Sequence, residues 1–237
     1  TNFTNSLLVG TDGTGTLNAA DGNTGVGTGV LGALTTGDDN VAIGLNALDL
    51  NTTGGGNVAI GKSALVANTT ADFNTAVGRQ AMFTNTTGTR NSVLGLNAMY
   101  TNTTGGCNVA IGGNALYSNT TAANNTAVGA CSLEANTTGA ENVAVGALAG
   151  DSNTTGSGNV FIGKEAGQAN TTASGNVAIG QNTFDANSTG AGNVAVGSAA
   201  LGANTTGSSN SALGKDALAA NTTAFGNTAV GRESLIA

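Results

Sequence analysis

Glycine returns every 17 residues, from Gly10 through Gly27 and Gly44 to Gly231, without one insertion or deletion. A period held this strictly means that each unit is one supersecondary layer, unable to bury its apolar face alone and dependent on the neighbour stacked against it. The 237 residues hold fourteen such units. Self-similarity at a fixed period overrides the one or two globular domains that the length would otherwise suggest. With positions counted from Asn40, the consensus is N-V-A-I-G-x-x-A-L-x-x-N-T-T-G-x-x, seen as NVAIG at 57, 108 and 176 and as NTAVG at 74, 125 and 227.

The fourth position is Val, Ile or Leu in all fourteen units, and the ninth is Leu, Met or Phe in eleven. Both columns are expected to point inward. By two-residue alternation the second position shares the inward face, and the third, Ala in ten units, points outward. A continuous outward alanine stripe would let another backbone approach closely; the alternative is a tolerated flat surface. Two short apolar strands and three Gly- or Asn-rich corners in 17 residues predict an all-β fold, a parallel β-solenoid (β-roll) of about fourteen coils. At about 4.8 Å per coil the rod would measure on the order of 65 Å. Two-helix repeats need roughly 33 residues and better helix formers than Gly, Thr, Asn and Val. Residues 1–39 read as atypical N-terminal capping coils, with Leu17 and Leu34 where later units carry Asn, and residues 40–237 as the regular array.

Several columns admit both a structural and a functional explanation. The glycine at the fifth position follows a strand, where a corner with positive φ is cheap only for Gly. The run GTGVLG at 27–32 looks like a phosphate loop, but such a loop occurs once, ahead of a helix, and carries Lys. A feature present in every coil is scaffold. Asn fills the first position in thirteen units and the twelfth from Asn51 to Asn221. Identical amides stacked along a rod form hydrogen-bonded ladders. The twelfth column also spells the N-glycosylation sequon at Asn51, Asn68, Asn85, Asn102, Asn119, Asn136, Asn153, Asn170, Asn187, Asn204 and Asn221. A sequon leaves its middle residue free, yet here that residue is always Thr or Ser, which points to a structural hydroxyl column. Gly150 and Gly167 replace the ninth-position Leu in adjacent units, marking a thin stretch of core that Leu148 and Phe161 could fill. With Ile162 buried there, Ile162→Ala is expected to cost about 2 to 5 kcal/mol. A higher period of 51 residues shows in the fifteenth position, Ala at Ala71, Ala122, Ala173 and Ala224.

Chemistry-bearing residues are sparse. The chain has no His, 8 % charged residues and a net charge of −7, with five of six basic residues at the sixth position and three of these followed by an acid. No His can activate the many hydroxyls, the carboxylates are dispersed apart from Asp38 and Asp39, and calcium-binding nonapeptides are absent, so no enzymatic role, cofactor or metal is expected. The acidic balance disfavours nucleic acid, and no apolar run suits membrane insertion. Cys107 and Cys131 fall in different columns, which argues against a disulfide between them. Thr1 continues the register of Ala237 with one position missing, which suggests end-to-end association through Leu7, Leu8, Val9, Leu235 and Ile236.

The NVAIGxxAL and NTTG runs, over about residues 23–237, resemble the repeats of bacterial and phage tail-fibre proteins that carry a C-terminal intramolecular chaperone. More distantly they are similar to the head repeats of trimeric autotransporter adhesins, whose coil is shorter. The resemblance implies an extracellular or virion-surface fibre, often trimeric, a left-handed β-roll and no catalytic role. The expected function is therefore a structural subunit of a fibre or adhesin shaft that associates with itself through its ends or its Ala-rich face. A glycan- or ice-binding solenoid is the alternative, with surface glycans as the outside partner. Ice binding favours outward Thr separated by one residue, whereas adjacent Thr in N-T-T face opposite ways.

Overall fold

The computed structural model describes residues 7–9 and 20–236. The Leu8 side chain, most of the first expected capping coil (1–6 and 10–19) and Ala237 lie outside the described residues. The chain divides into two compact units, Thr1–Ala122 and Ala123–Ala237. The described residues hold fourteen three-residue strands, β1 at Leu7–Val9, β2 at Thr24–Val26, β3 at Val41–Ile43 and so on to β14 at Thr228–Val230. The first unit contains β1 to β7 and the second β8 to β14. Within each unit the strands stack parallel in chain order and always in the same register, Val41 beside Val58 and Val177 beside Val194. The fold is a parallel β-solenoid with one strand in each 17-residue coil.

Each coil has one strand where the sequence suggested two. Among the described coils the ninth position is buried as expected in all but the last, and the eighth is buried beside it, but both lie in a turn. The reason is backbone conformation: Ser63 and Leu65 have φ of 56° and 49°, and their counterparts in later coils do likewise. Residues in the left-handed region cannot continue an extended strand. Main-chain bonds to the next coil hold these turns, as in Leu65 N–H to Ala81 O at 3.0 Å.

The alternation along the strand is as predicted, but its phase is reversed. Third-position residues are buried without exception among those with described side chains, from Ala42 and Ala59 at 0 % exposure to Ala229 at 3 %. The fourth position faces out, at 38 % for Ile43, 37 % for Ile162 and 51 % for Leu213. Packing explains the reversal. The interior of so small a coil is already occupied by the ninth-position Leu or Met and by two Asn columns. In most coils a methyl group fills what is left beneath the strand, so the larger fourth-position residues point outward. The alanine column is thus the inner wall of the coil, and no outward Ala-rich face exists for self-association among the described residues.

Phe161, a third-position residue, is correspondingly inside and fully buried. It fills the space left by the two missing leucines: a Cβ added to Gly150 would come within 2.5 Å of its Cδ2, and one on Gly167 would overlap Cδ1 and Cε1. Leu148 is half-buried in the seventh column and does not serve this purpose. Since Ile162 faces out, the large cost expected for Ile162→Ala is corrected to a small one.

The fifth-position glycine is required twice over. Gly61 has φ of 133°, a region open only to glycine, and a Cβ there would come within 2.5 Å of the Gly78 carbonyl oxygen in the next coil.

Candidate functional site

The two Asn columns are the polar framework of the coil. In the first, Asn57 donates its backbone N–H at 3.0 Å and its Nδ2 at 3.1 Å to Asn40 Oδ1, and Asn74 repeats the pattern on Asn57. In the twelfth, Asn68 Nδ2 donates to Asn51 Oδ1 at 2.9 Å, and Asn85 Nδ2 to Asn68 Oδ1 at 3.0 Å. A fifteenth-position carbonyl ties the columns together, as Ala71 O accepts from Asn57 Nδ2 and Asn68 Nδ2 at 2.8 and 3.1 Å. Burial is acceptable for these amides because their hydrogen-bonding groups are matched. Asn176 is an exception, its Nδ2 having no partner.

This geometry bears directly on the sequons. Asn51, Asn68, Asn85, Asn102, Asn119, Asn136, Asn153, Asn170, Asn187 and Asn204 are all 0 % exposed, while Asn221 is half-buried. A sugar attached to Nδ2 would take a hydrogen from an atom that holds the ladder and would need space inside the coil. Burial is therefore incompatible with glycan attachment at the ten buried positions in the folded chain. The following Thr contributes as well: Thr52 Oγ1 donates to Thr69 O at 3.0 Å and Thr137 Oγ1 to Thr154 O at 3.0 Å. The second Thr of each triplet, such as Thr53 or Thr138, is exposed.

The outward face of the strands is the main unpartnered surface in each unit. Its two columns are the second position, mostly Val, Thr or Ser, and the fourth, Val, Ile or Leu. In the first unit Val26, Ile43, Leu94 and Ile111 are 38 to 51 % exposed, and in the second Val145, Ile162, Ile179 and Leu213 are 37 to 51 % exposed. Of the residues expected to make assembly contacts, Leu7 at 60 % and Val9 at 51 % belong to this face, in the second and fourth columns. Leu235 at 56 % and Ile236 at 47 % sit apart from it, in the ninth and tenth columns. The alternation rule was the right signal for this surface; side-chain volume would have fixed its phase.

Charged residues lie mainly at the corners. Lys164 pairs with Glu165 at 3.0 Å and Arg232 with Glu233 at 2.7 Å, and Lys215 meets Asp216; the basic ends are largely solvated and the pairs carry little energetic weight. The tenth column changes character between the units. In the first, Phe83, Tyr100 and Tyr117 stack with centroids 5.0 and 5.2 Å apart. In the second it carries Glu134, Asp151, Gln168 and Asp185. Burial raises the carboxyls of Asp151 and Asp185 above the ordinary aspartate range. A hydrogen bond with Glu134, then burial and the charges of Glu134 and Asp151, push the Cys131 thiol up to about 11. That thiol stays protonated at neutral pH and is a poor nucleophile. Cys107 and Cys131 are both free. Among the described residues no group of three His, Cys, Asp or Glu could hold a metal ion, and no helix is long and apolar enough to cross a membrane.

No protein-family model, curated protein or solved structure matches the chain.

Proposed function

We propose that the chain is a non-enzymatic structural subunit of an extracellular or virion-surface fibre or adhesin shaft, and that copies associate through the outward face of their strands. The observation that carries this reading is the fourth-position aliphatic column left partly in solvent on a regular sheet, beside a second column of Val, Thr and Ser. Large contiguous apolar surfaces mark interaction sites. The partner best matched to such a surface is a second copy, because its columns repeat at the same coil spacing, about 4.8 Å, and can interdigitate along their length. The strand face thus replaces the alanine stripe as the lateral surface of association, alongside end-to-end contact through the coil ends. The NVAIG and NTTG resemblance supports placement outside the cell, and the absence of His with a protonated Cys131 supports a role without catalysis.

Sedimentation velocity tests the proposal. The unaltered chain should sediment as an oligomer, and Ile43→Asp combined with Ile60→Asp should yield a folded monomer with an unchanged circular dichroism spectrum. A monomeric unaltered chain at high micromolar concentration would refute it. Ice binding receives little support, since no outward pair two residues apart is Thr with Thr; Thr occupies the second column at only four described coils, Thr24, Thr75, Thr126 and Thr228, and never the fourth.

A further inference from the structure

One corner of the first unit is cut differently from its neighbours. At the sixteenth and seventeenth positions, three successive coils carry Asp38 and Asp39, then Gly55 and Gly56, then Asp72 and Phe73. The glycine pair removes two side chains between two furnished coils, and an open cavity of about 290 Å³ results, with Thr36 and Thr53 also lining it. That volume is at the small end for ligand pockets, which begin near roughly 300 Å³. Phe73 is 62 % exposed, and its ring leans over Gly56, where a Cβ would lie 2.8 and 2.9 Å from Cδ1 and Cε1. Over Gly55 a Cβ would lie 3.2 Å from the Asp38 carbonyl oxygen and 3.6 Å from its nitrogen, with Asp72 Oδ1 at 4.0 Å, so a side chain there would extend into the groove past the Asp38 backbone.

The polar groups of the cavity are held in place by the main chain. Asp72 Oδ1 accepts the Gly55 N–H at 2.7 Å, and Asp38 Oδ1 accepts the Asp21 N–H at 2.8 Å. Each carboxylate keeps further acceptor capacity, and the exposed Thr36 and Thr53 hydroxyls can donate or accept. An exposed aromatic ring beside fixed acceptors and free hydroxyls is complementary to a pyranose, which offers an apolar C–H face and a rim of hydroxyls that donate and accept.

We propose that this groove is a saccharide subsite for one neutral hexose or N-acetylhexosamine residue. The ring of Phe73 takes the C–H face, Asp72, which faces Gly55, accepts a sugar hydroxyl, and the two threonines complete the rim. The carboxylates reject uronic and sialic acids by like-charge repulsion. The groove lies at a corner, off the strand face, so the subsite does not depend on self-association and can fail separately from it.

Saturation-transfer NMR on the full chain tests the subsite, with methyl glycosides of glucose, galactose and mannose, N-acetylglucosamine, and N-acetylneuraminic acid as the charged comparison. At least one neutral sugar should receive saturation with a millimolar dissociation constant, and N-acetylneuraminic acid should not. Phe73→Ala should abolish the signal. Gly55→Gln should do so too by filling the groove at a position where other coils accept Asp, Thr or Ser; its melting curve should be unchanged. Phe225→Ala, which removes an exposed phenylalanine outside the groove, should leave binding intact. Absence of saturation for every neutral sugar, a signal that survives Phe73→Ala, or binding confined to tetramethylammonium and abolished by salt would overturn the proposal, the last revealing a cation site instead.

Discussion

The coil at residues 57–73 and the two coils at 142–175 enclose the same cross-section with different residues. In the first, Ala59 lies beneath the strand and Leu65 reaches across from the opposite turn, both fully buried. In the second region the turn offers only Gly150 and Gly167, and Phe161 reaches across from the strand side. An intermediate arrangement occurs at Val93, which is 2 % exposed in a unit that has Met82 and Met99 in the ninth column. Comparison of these coils shows that the interior restricts summed volume more tightly than it restricts the residue at any one column, as expected where packing density is near that of a crystal.

The sharpest test of that comparison is Phe161→Ala, which empties the second region and should destabilise by about 3 to 5 kcal/mol in a denaturant titration. Adding Gly150→Leu and Gly167→Leu should recover most of the loss, because it rebuilds the consensus. Leucine tolerates the required backbone, as Leu65 and Leu133 at φ of 49° show beside 58° and 63° for the two glycines. A triple variant no more stable than the single one would break the equivalence of the two regions. Gly167→Leu alone, with Phe161 retained, should cost about 1 to 3 kcal/mol by overpacking. The hydroxyl column is common to both regions, so Thr69→Ala and Thr154→Ala should each lose about 1 kcal/mol in thermal melts. An unchanged melting curve for Thr154→Ala would remove its structural role.

Ile60→Ala and Ile162→Ala should be alike and small, about 1 kcal/mol or less in the monomer, since neither side chain is enclosed. The smallest effect concerns the tenth column of the second unit. Asp151 and Asp185 have raised carboxyls there. The folded state therefore binds more protons than the unfolded chain between the ordinary aspartate range and the raised values, and stability falls as pH rises through that window. Asp185→Asn should flatten the decline measured by melting at successive pH values; a steeper decline would contradict the burial assigned to this side chain.

Much of the fold was legible because a period of 17 leaves few architectures open, and because Asn and Gly at fixed positions have few physical uses. The phase of the strand was not. Alternation states that Ala110 and Ile111 face opposite ways, but which one is inside depends on how far the opposite wall intrudes. That wall, at Leu116, is built by left-handed turns which no propensity of Leu announces. The sequons misdirected for a related reason: Asn-Thr-Thr is the same string whether its amide is in solvent or in a ladder, and burial alone separates the two. The groove at Gly55 was missed because its elements are contributed by three coils and become adjacent only after stacking, although two glycines between Asp38–Asp39 and Asp72–Phe73 are visible once the units are aligned.

The ladders also give each unit a direction. Within each unit the stacked amides of the twelfth column donate toward the preceding coil, Asn119 to Asn102 and Asn102 to Asn85 in the first unit, Asn204 to Asn187 and Asn187 to Asn170 in the second. The first column is oriented the same way, from Asn108 back to Asn91 and from Asn210 back to Asn193. Side-chain dipoles aligned head to tail polarise one another, so an interior link is stronger than an isolated amide pair. Each stack consequently has a positive pole toward lower residue numbers and a negative pole toward higher ones. Reversing a single amide would place two donors or two acceptors face to face, and the resulting fault would be felt in both flanking coils.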